Sequence, residues 1–218
     1  MTHTDFYART TALPLLQGIA AEHILRMQER GALRIVSMEP EEGDIIVAGQ
    51  HCKTLTMLMD GTLNCTTRGD GWTLEEEMHA PAIIEEEALW SLSQTYHHTY
   101  RPTCDGHLLV IDRAHVMNTL MNNDVFRINL LTRMSTRIER NHMQVMRCQS
   151  MEDTVQKILR FVQDISATQV MPKRLYIKMT TLAHILGETR LRISGALHRM
   201  QQVGKASLSR EQITIYQY

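Results

Sequence analysis

The segment Met179 to Gln201, MTTLAHILGETRLRISGALHRMQ, constrains this chain more than any other, because its apolar residues change phase across a glycine. Leu182, Ile185 and Leu186 put one buried stripe on a first short helix, and Ile193, Leu197 and Met200 put another on a second. Gly187 between them can take the left-handed conformation that ends a helix cheaply, and Thr189 can cap the helix that follows. Two short amphipathic helices over a tight turn make a helix-turn-helix. The second helix then presents Arg190, Arg192, Ser194 and Gly195 outward near its N-terminal end, where such a helix meets base edges in a DNA major groove. An ordinary helical hairpin has the same pattern, so the rest of the chain must decide.

Charge is distributed in a way that favours the first reading. The whole chain carries a formal net charge of −1, which alone argues against a nucleic-acid partner. Residues 1–150 hold 13 Lys and Arg against 19 Asp and Glu, however, whereas residues 171–218 hold 8 against 2. Only the C-terminal part is built to meet phosphates, with Lys173, Arg174, Lys178, Arg190, Arg192, Arg199, Lys205 and Arg210 as candidates. No run approaches the roughly 18 apolar residues needed to span a bilayer, and the start MTHTDFYART is no signal peptide, so no membrane is expected and the chain reads as cytoplasmic. Cys52, Cys65, Cys104 and Cys148 are widely spaced with no CxxC pair, which implies that most are buried thiols rather than parts of a zinc ribbon or a disulfide framework.

Upstream the texture changes twice. A helical stretch from about Leu15 to Glu29 is followed, from Ala32 to Asp112, by short strands and turns. Leu55, Met57 and Met59 alternate up to Asp60-Gly61, with Leu63 and Cys65 beyond, and Asp-Gly between alternating runs signals a hairpin. Leu108 to Ile111 reads as a fully buried closing strand, so this region implies a barrel or jelly roll. From about Asp124 to Gln149 the pattern becomes one helix roughly 39 Å long. Leu131, Ile138 and Val145 recur every seven residues on it, with Met134 and Cys148 or Ile128 between, a narrow seam of the kind that faces a partner helix. A two-fold dimer through that seam would place two recognition helices one turn of DNA apart. The competing reading packs the stripe on the chain's own barrel.

The order jelly roll, long dimer helix, helix-turn-helix resembles the Crp/Fnr family of bacterial transcription regulators over nearly the whole chain. EEGDIIVAGQ resembles the family's Pro-Gly-Glu strand, MLMDGTLN its strand-Gly-strand segment and HLLVIDRAHV the strand leading to the hinge helix. TVQKILRFVQDI resembles the helix after the dimer helix, TLAHILGETRLRISGALHRMQ the family helix-turn-helix, and ASLSREQITIYQ the wing, with Leu208, Ile213 and Ile215 facing in. The resemblance implies an α+β chain: a cyclic-nucleotide-binding-like jelly roll over 1–122, a dimerisation helix over 123–150 and a winged helix-turn-helix over 151–218. It also implies double-stranded DNA, RNA polymerase and a second copy of the chain as partners, with a small-molecule effector on the roll.

The departures from the family fall on the effector site. Where cyclic-nucleotide-binding members carry a Gly-Glu-Leu turn and an Arg-Ser pair that hold the cyclic phosphate, this chain has IIEEEALW and TYHHTY. Glu86 matches the ribose-binding Glu, but Glu85 replaces the Gly and Tyr96-His97 the Arg-Ser pair, so cyclic AMP is not expected to bind. The positions that face the base in such members are His142 and Met143, which leaves Glu86, Tyr96, His97, His142 and Met143 as effector-pocket candidates. An iron–sulfur cluster is not expected, since no cysteine precedes Cys52. Haem stays open through His51, Cys52, Met57, His79, His97, His98 and His142, as does another small effector or none; no metal site is indicated.

At the DNA end, Arg190 matches the family Arg that reads guanine, while Leu191 stands for a Glu and Gly195 for a second Arg. The half-site should therefore differ, with Arg192 and Ser194 as substitutes and Lys178, Thr180, Thr189 and Arg199 suited to phosphates. Catalysis is not expected: Glu85, Glu86 and Glu87 form an acidic run of the kind found in solvated loops, with no nucleophile beside it. The main alternative is a ligand-binding sensor, with haem among its candidate ligands, whose helix-turn-helix does not read DNA.

Overall fold

The structure, a computed structural model, describes residues 3–147 and 153–218, with side chains over 6–140 and 153–218. Two helices, α1 (His3–Thr11) and α2 (Ala21–Glu29), precede strands β1 (Leu33–Met38), β2 (Thr54–Asp60), β3 (Thr62–Gly69), β4 (Trp72–His79), β5 (Ala82–Ile84), β6 (Thr99–Pro102) and β7 (Gly106–Asp112). Then follow α3 (Arg113–Asn118), the long α4 (Asp124–Arg147), α5 (Thr154–Asp164), β8 (Lys173–Ile177), α6 (Met179–Leu186), α7 (Arg190–Gln202), β9 (Ala206–Ser209) and β10 (Gln212–Ile215).

The first seven strands form a jelly roll from two antiparallel layers. One sheet runs β1-β7-β2-β5. Its register places Leu33, Ile111 and Leu55 side by side, and all three are buried with residues of α2 and α3. The alternate residues Val36, Leu108, Val110, Thr54 and Thr56 point between the layers and line a cavity there. The second sheet runs β6-β3-β4-β8-β10-β9, so it leaves the roll at β4 and continues into the C-terminal winged helix. Leu63, Cys65 and Thr67 of β3 and Leu74, Glu76 and Met78 of β4 turn inward by simple alternation.

Two sequence expectations fail here for local reasons. Leu15–Glu29 is not one helix. Pro14 and Gly18, the latter at φ 78°, confine 12–18 to turns, and Leu15, Leu16 and Ile19 are buried as loop residues. Nor is Asp60-Gly61 a hairpin. β2 pairs with β5 and β7 while β3 pairs with β4 and β6, so the dipeptide is a corner where the chain changes sheets. A side chain at Gly61 would meet Met38 Cε at 2.8 Å and the Asp105 carbonyl at 3.0 Å, which explains the glycine by close approach. The true hairpin turns at Asp70-Gly71, between Gly69 and its partner Trp72.

Two apolar cores result. The larger lies in and beside the roll and takes Phe126 and Leu130 from α4; the smaller gathers Ile158, Val162, Leu175, Leu182, Ile193, Leu197, Met200, Ile213 and Ile215, with Leu74 from β4. No helix among the described residues is long and apolar enough to cross a membrane.

Candidate nucleic-acid interface and effector cassette

The helix-turn-helix is set by three local devices. Gly187 sits in the left-handed region at φ 64° and ψ 32° and closes α6. The Thr189 hydroxyl accepts a hydrogen bond from the Arg192 amide at 3.3 Å and caps α7, an interaction worth about 1 kcal/mol. Ile193, Ala196, Leu197 and Met200 then pin α7 on the smaller core. What remains outside is Arg190, Leu191, Arg192, Gly195 and Arg199, with Leu191 84% exposed. Between the start of α7 and the wing runs a groove of about 300 Å³, lined by Lys178, Thr180, Arg190, Ser209 and Gln212. The positive end of the α7 dipole lies beside it. Lys178, Thr180, Thr189, Arg190, Leu191, Arg192 and Arg199 are exposed, and Ser194 is half-buried.

Some candidates stand differently from the sequence reading. Ile185 is 39% exposed rather than part of the buried stripe, because Leu182 and Ala183 already fill the contact with α7. Lys173 is fully buried and cannot meet a phosphate. The Arg199 guanidinium donates to both oxygens of Asp153 at 2.9 and 3.1 Å, and Arg192 donates to Glu188 at 3.2 Å. Glu188, which the sequence did not single out, also accepts from Lys157 at 2.6 Å; these hydrogen bonds, Lys157 first, hold its carboxyl below the usual carboxylate range.

The acidic run on the roll is not a solvated loop. Glu85 and Glu86 are buried, and each of the three carboxylates has its own cationic or N–H partner. Glu85 takes the left-handed conformation, φ 37°, at the end of β5, and its carboxylate accepts from the backbone amides of His97 and His98 at 2.7 and 3.0 Å. His97 Nδ1 lies 3.2 Å from the same group. Two successive amides aimed at one carboxylate form an anion-binding nest that is already filled. Glu86 accepts from Arg133 Nε and Nη2 at 3.1 and 2.9 Å, and Glu87 pairs with Arg137 Nη1 at 2.6 Å. Both arginines come from α4, so the turn ties the roll to the long helix. Burial holds the His98 imidazole below its ordinary pKa, with the Glu85 charge pulling the other way; its Nδ1 meets the Thr67 hydroxyl at 2.7 Å.

The effector-pocket candidates are therefore divided. Tyr96 lines the cavity of about 430 Å³ between the sheets, together with Val36, Ile46, His51, Thr54 and Thr56. Its phenol is pushed up to about 12, mainly by burial. Glu86 and His97 do not line that cavity, because Glu86 faces α4 and His97 faces Glu85. The side chains of His142 and Met143 lie outside those described, as does Cys148. Of the residues weighed for haem, His51 lines the cavity, and Cys52 and Met57 are buried in the roll core. Among the described residues no group of three His, Cys, Asp or Glu could hold a metal ion.

On α4 two faces have different fates. Phe126 and Leu130 are buried on the roll, whereas Ile128, Leu131 and Ile138 are 62, 62 and 69% exposed. Met134 departs from the expected seam, since it is partly buried against the roll core, on the side of Leu130 and Arg133. The Val145 side chain lies outside those described.

A jelly roll, a long helix with an apolar outer stripe and a C-terminal winged helix-turn-helix define a Crp/Fnr-like fold. The chain is similar to the catabolite activator protein of Thermus thermophilus, with a TM-score of 0.53 and 16% identity over 93% of each chain. It is also similar to the sensor domain of the transcriptional regulator DNR from Pseudomonas aeruginosa, with a TM-score of 0.50 and 14% identity over 67% of this chain and 99% of that one. No protein-family model and no curated protein sequence matches it.

Proposed function

We propose that the chain is a homodimeric, sequence-specific DNA-binding transcription regulator, controlled by an effector other than cyclic AMP. The observation that carries this is the groove between α7 and the wing, where Lys178 and Arg190 flank the capped N-terminus of a helix in the only strongly basic part of the chain. Arg190, Leu191, Arg192 and Ser194 would read bases, and Lys178, Thr180, Thr189 and Arg199 would hold phosphates, Arg199 by exchanging Asp153 for the backbone. The exposed Ile128, Leu131 and Ile138 stripe suits a two-fold partner helix. The three units would then be the roll over 1–122, the dimer helix over 123–150 and the reading head over 151–218, working in the cytoplasm with RNA polymerase as a further partner.

Cyclic AMP is disfavoured because the Glu85 carboxylate sits on the amides that an anion would need. Calorimetry should find no binding at micromolar cyclic AMP. The cavity lined by Tyr96 is the place for an uncharged or weakly polar effector.

A second reading, a sensor module whose helix-turn-helix does not read DNA, draws on the carboxylates that hold Arg192 and Arg199. Selection of genomic fragments by the purified protein, then anisotropy across a salt series, decides between them. A two-fold motif with half-sites about one helical turn apart is expected; binding indifferent to sequence would favour the sensor.

A further inference from the structure

We infer that Glu76 and Lys173 are positioning residues that fix the reading head on the roll, so that β4, and not only the connection after α4, sets the direction in which α7 faces. The inference rests on the DNA-binding dimer proposed above. Left alone, β4 would be the bare edge of a three-stranded sheet. Instead it pairs with β8 in register from Trp72 opposite Ile177 to Glu75 opposite Arg174, and the sheet runs on into the wing.

Side chains close the joint on both sides of this ladder. Leu74 is fully buried in the core of the head, and the Trp72 ring meets Phe161 edge-on at 5.6 Å and 81°. One residue past the ladder, Glu76 turns inward, and both it and Lys173 have fully buried side chains. The Glu76 carboxylate accepts from the Lys173 ammonium, from the amides of Ala167 and Thr168 at 2.7 and 3.0 Å and from the Thr168 hydroxyl at 2.7 Å. Lys173 donates in turn to the Thr168 carbonyl at 2.7 Å. Taking any partner away from an ion pair this dry leaves a buried charge uncompensated, so the joint disfavours arrangements of head and roll in which a partner is missing. The loop before β8 and the strand itself are thus both held by one carboxylate of the roll.

In a two-fold dimer a fixed head makes binding selective for the distance between half-sites, because both heads engage only where the spacing matches. A head on a loose tether would accept many spacings. The wild-type protein should therefore lose about a hundredfold in affinity when the spacer is lengthened by half a turn, as the avidity of the second head disappears. Lys173→Met should flatten that preference to within a few fold and leave affinity for an isolated half-site unchanged. A variant that simply lost structure would lose both.

The decisive control is a cross-link. Thr73 and Tyr176 are directly opposed across the ladder, at a separation an antiparallel pair and a disulfide share. Thr73→Cys with Tyr176→Cys, in a background that replaces both the exposed Cys104 (Cys104→Ser) and Cys148 (Cys148→Ser), whose side chain lies outside those described, should oxidise readily without DNA, keep spacer selectivity, and restore it in Lys173→Met. Failure to cross-link would overturn the joint itself, whatever the protein does with DNA. Loss of site-specific binding on oxidation would show that the head must leave β4 to read DNA and would overturn the positioning role. A protein that cross-links readily but selects no DNA site would instead overturn the proposed function and, with it, the DNA-positioning role.

Discussion

The chain contains the tripeptide Glu-Glu-Glu twice, at 75–77 and at 85–87, and the two copies are used in different ways. In β4 the strand's alternation sorts them: Glu76 is buried, while Glu75 and Glu77 are half-buried beside it. After β5 the left-handed Glu85 and a 3-10 turn over Glu86–Leu89 send the three carboxylates to three destinations: the His97-His98 amides, Arg133 and Arg137. The first copy joins roll to head through one buried carboxylate, Glu76, with Glu75 accepting from the Tyr176 hydroxyl at 3.1 Å nearer the surface, and the second joins roll to long helix through Glu86 and Glu87. Composition alone treats both as solvated charge; backbone geometry decides which carboxylates meet water.

The comparison is sharpest at Glu76. Its side chain and that of Lys173 are fully buried, so removing either leaves an uncompensated charge in a dry site. Glu76→Ala should cost about 3–5 kcal/mol, read as a lowered urea midpoint of the C-terminal core. A cost near zero would mean that water reaches the site and that the pair is not the joint described above.

Glu85→Gly tests the second copy and should cost less. The carboxylate's charge-assisted hydrogen bonds are worth about 1.5–3 kcal/mol, but glycine relieves a left-handed conformation that costs a side chain about 1–2 kcal/mol. A net loss near 1 kcal/mol is expected in a thermal melt. The vacated amides of His97 and His98 should then take an anion, so inorganic phosphate should raise the melting temperature of the variant and not of the wild type. No difference in phosphate response would mean that the nest collapses when its own carboxylate is removed.

What the sequence disclosed, and what it concealed, follows the same division between local and long-range causes. The turn at Gly187 and the cap at Thr189 are decided within a few residues, and both are read directly from the chain. Asp60-Gly61 misleads because a corner and a hairpin share turn chemistry and differ only in which strands pair, a long-range matter. The second Asp-Gly, 70–71, lies between strands of equal length and was the better hairpin signal. Lys173 joins the basic tail by composition but belongs to a carboxylate 97 positions away. Even so, a pattern was available: in Leu74-Glu75-Glu76-Glu77-Met78, alternation places Glu76 on the apolar face, and a charge there calls for a buried partner.

His98 gives the cassette a pH dependence. Burial lowers its pKa in the folded protein, so the unfolded chain binds more protons as pH falls through the ordinary histidine value near 6.5. The stability tied to neutral His98 is then fully present above about 6.5 and is lost as pH falls toward the folded-state pKa. His98→Asn should remove that part of the slope in urea titrations as pH falls below about 6.5. An unchanged slope would mean that the Glu85 charge offsets the burial in full.

The smallest effect should come from Glu77→Gln, and it bears most directly on the lesson of the repeated tripeptide. Glu77 neighbours the fully buried Glu76 side chain, yet its own side chain is 41% exposed and lies 3.6 Å from a similarly open His79. Screened pairs of this kind contribute little, so the change should stay within about 0.5 kcal/mol. The hydrogen bond that Thr168 makes here goes to the Glu77 carbonyl, which the substitution keeps. A loss of more than about 1 kcal/mol, well outside the usual range for a surface change, would show that the three β4 carboxylates act as one coupled cluster. The contrast between a strand that isolates one charge and a turn that distributes three would then have to be abandoned.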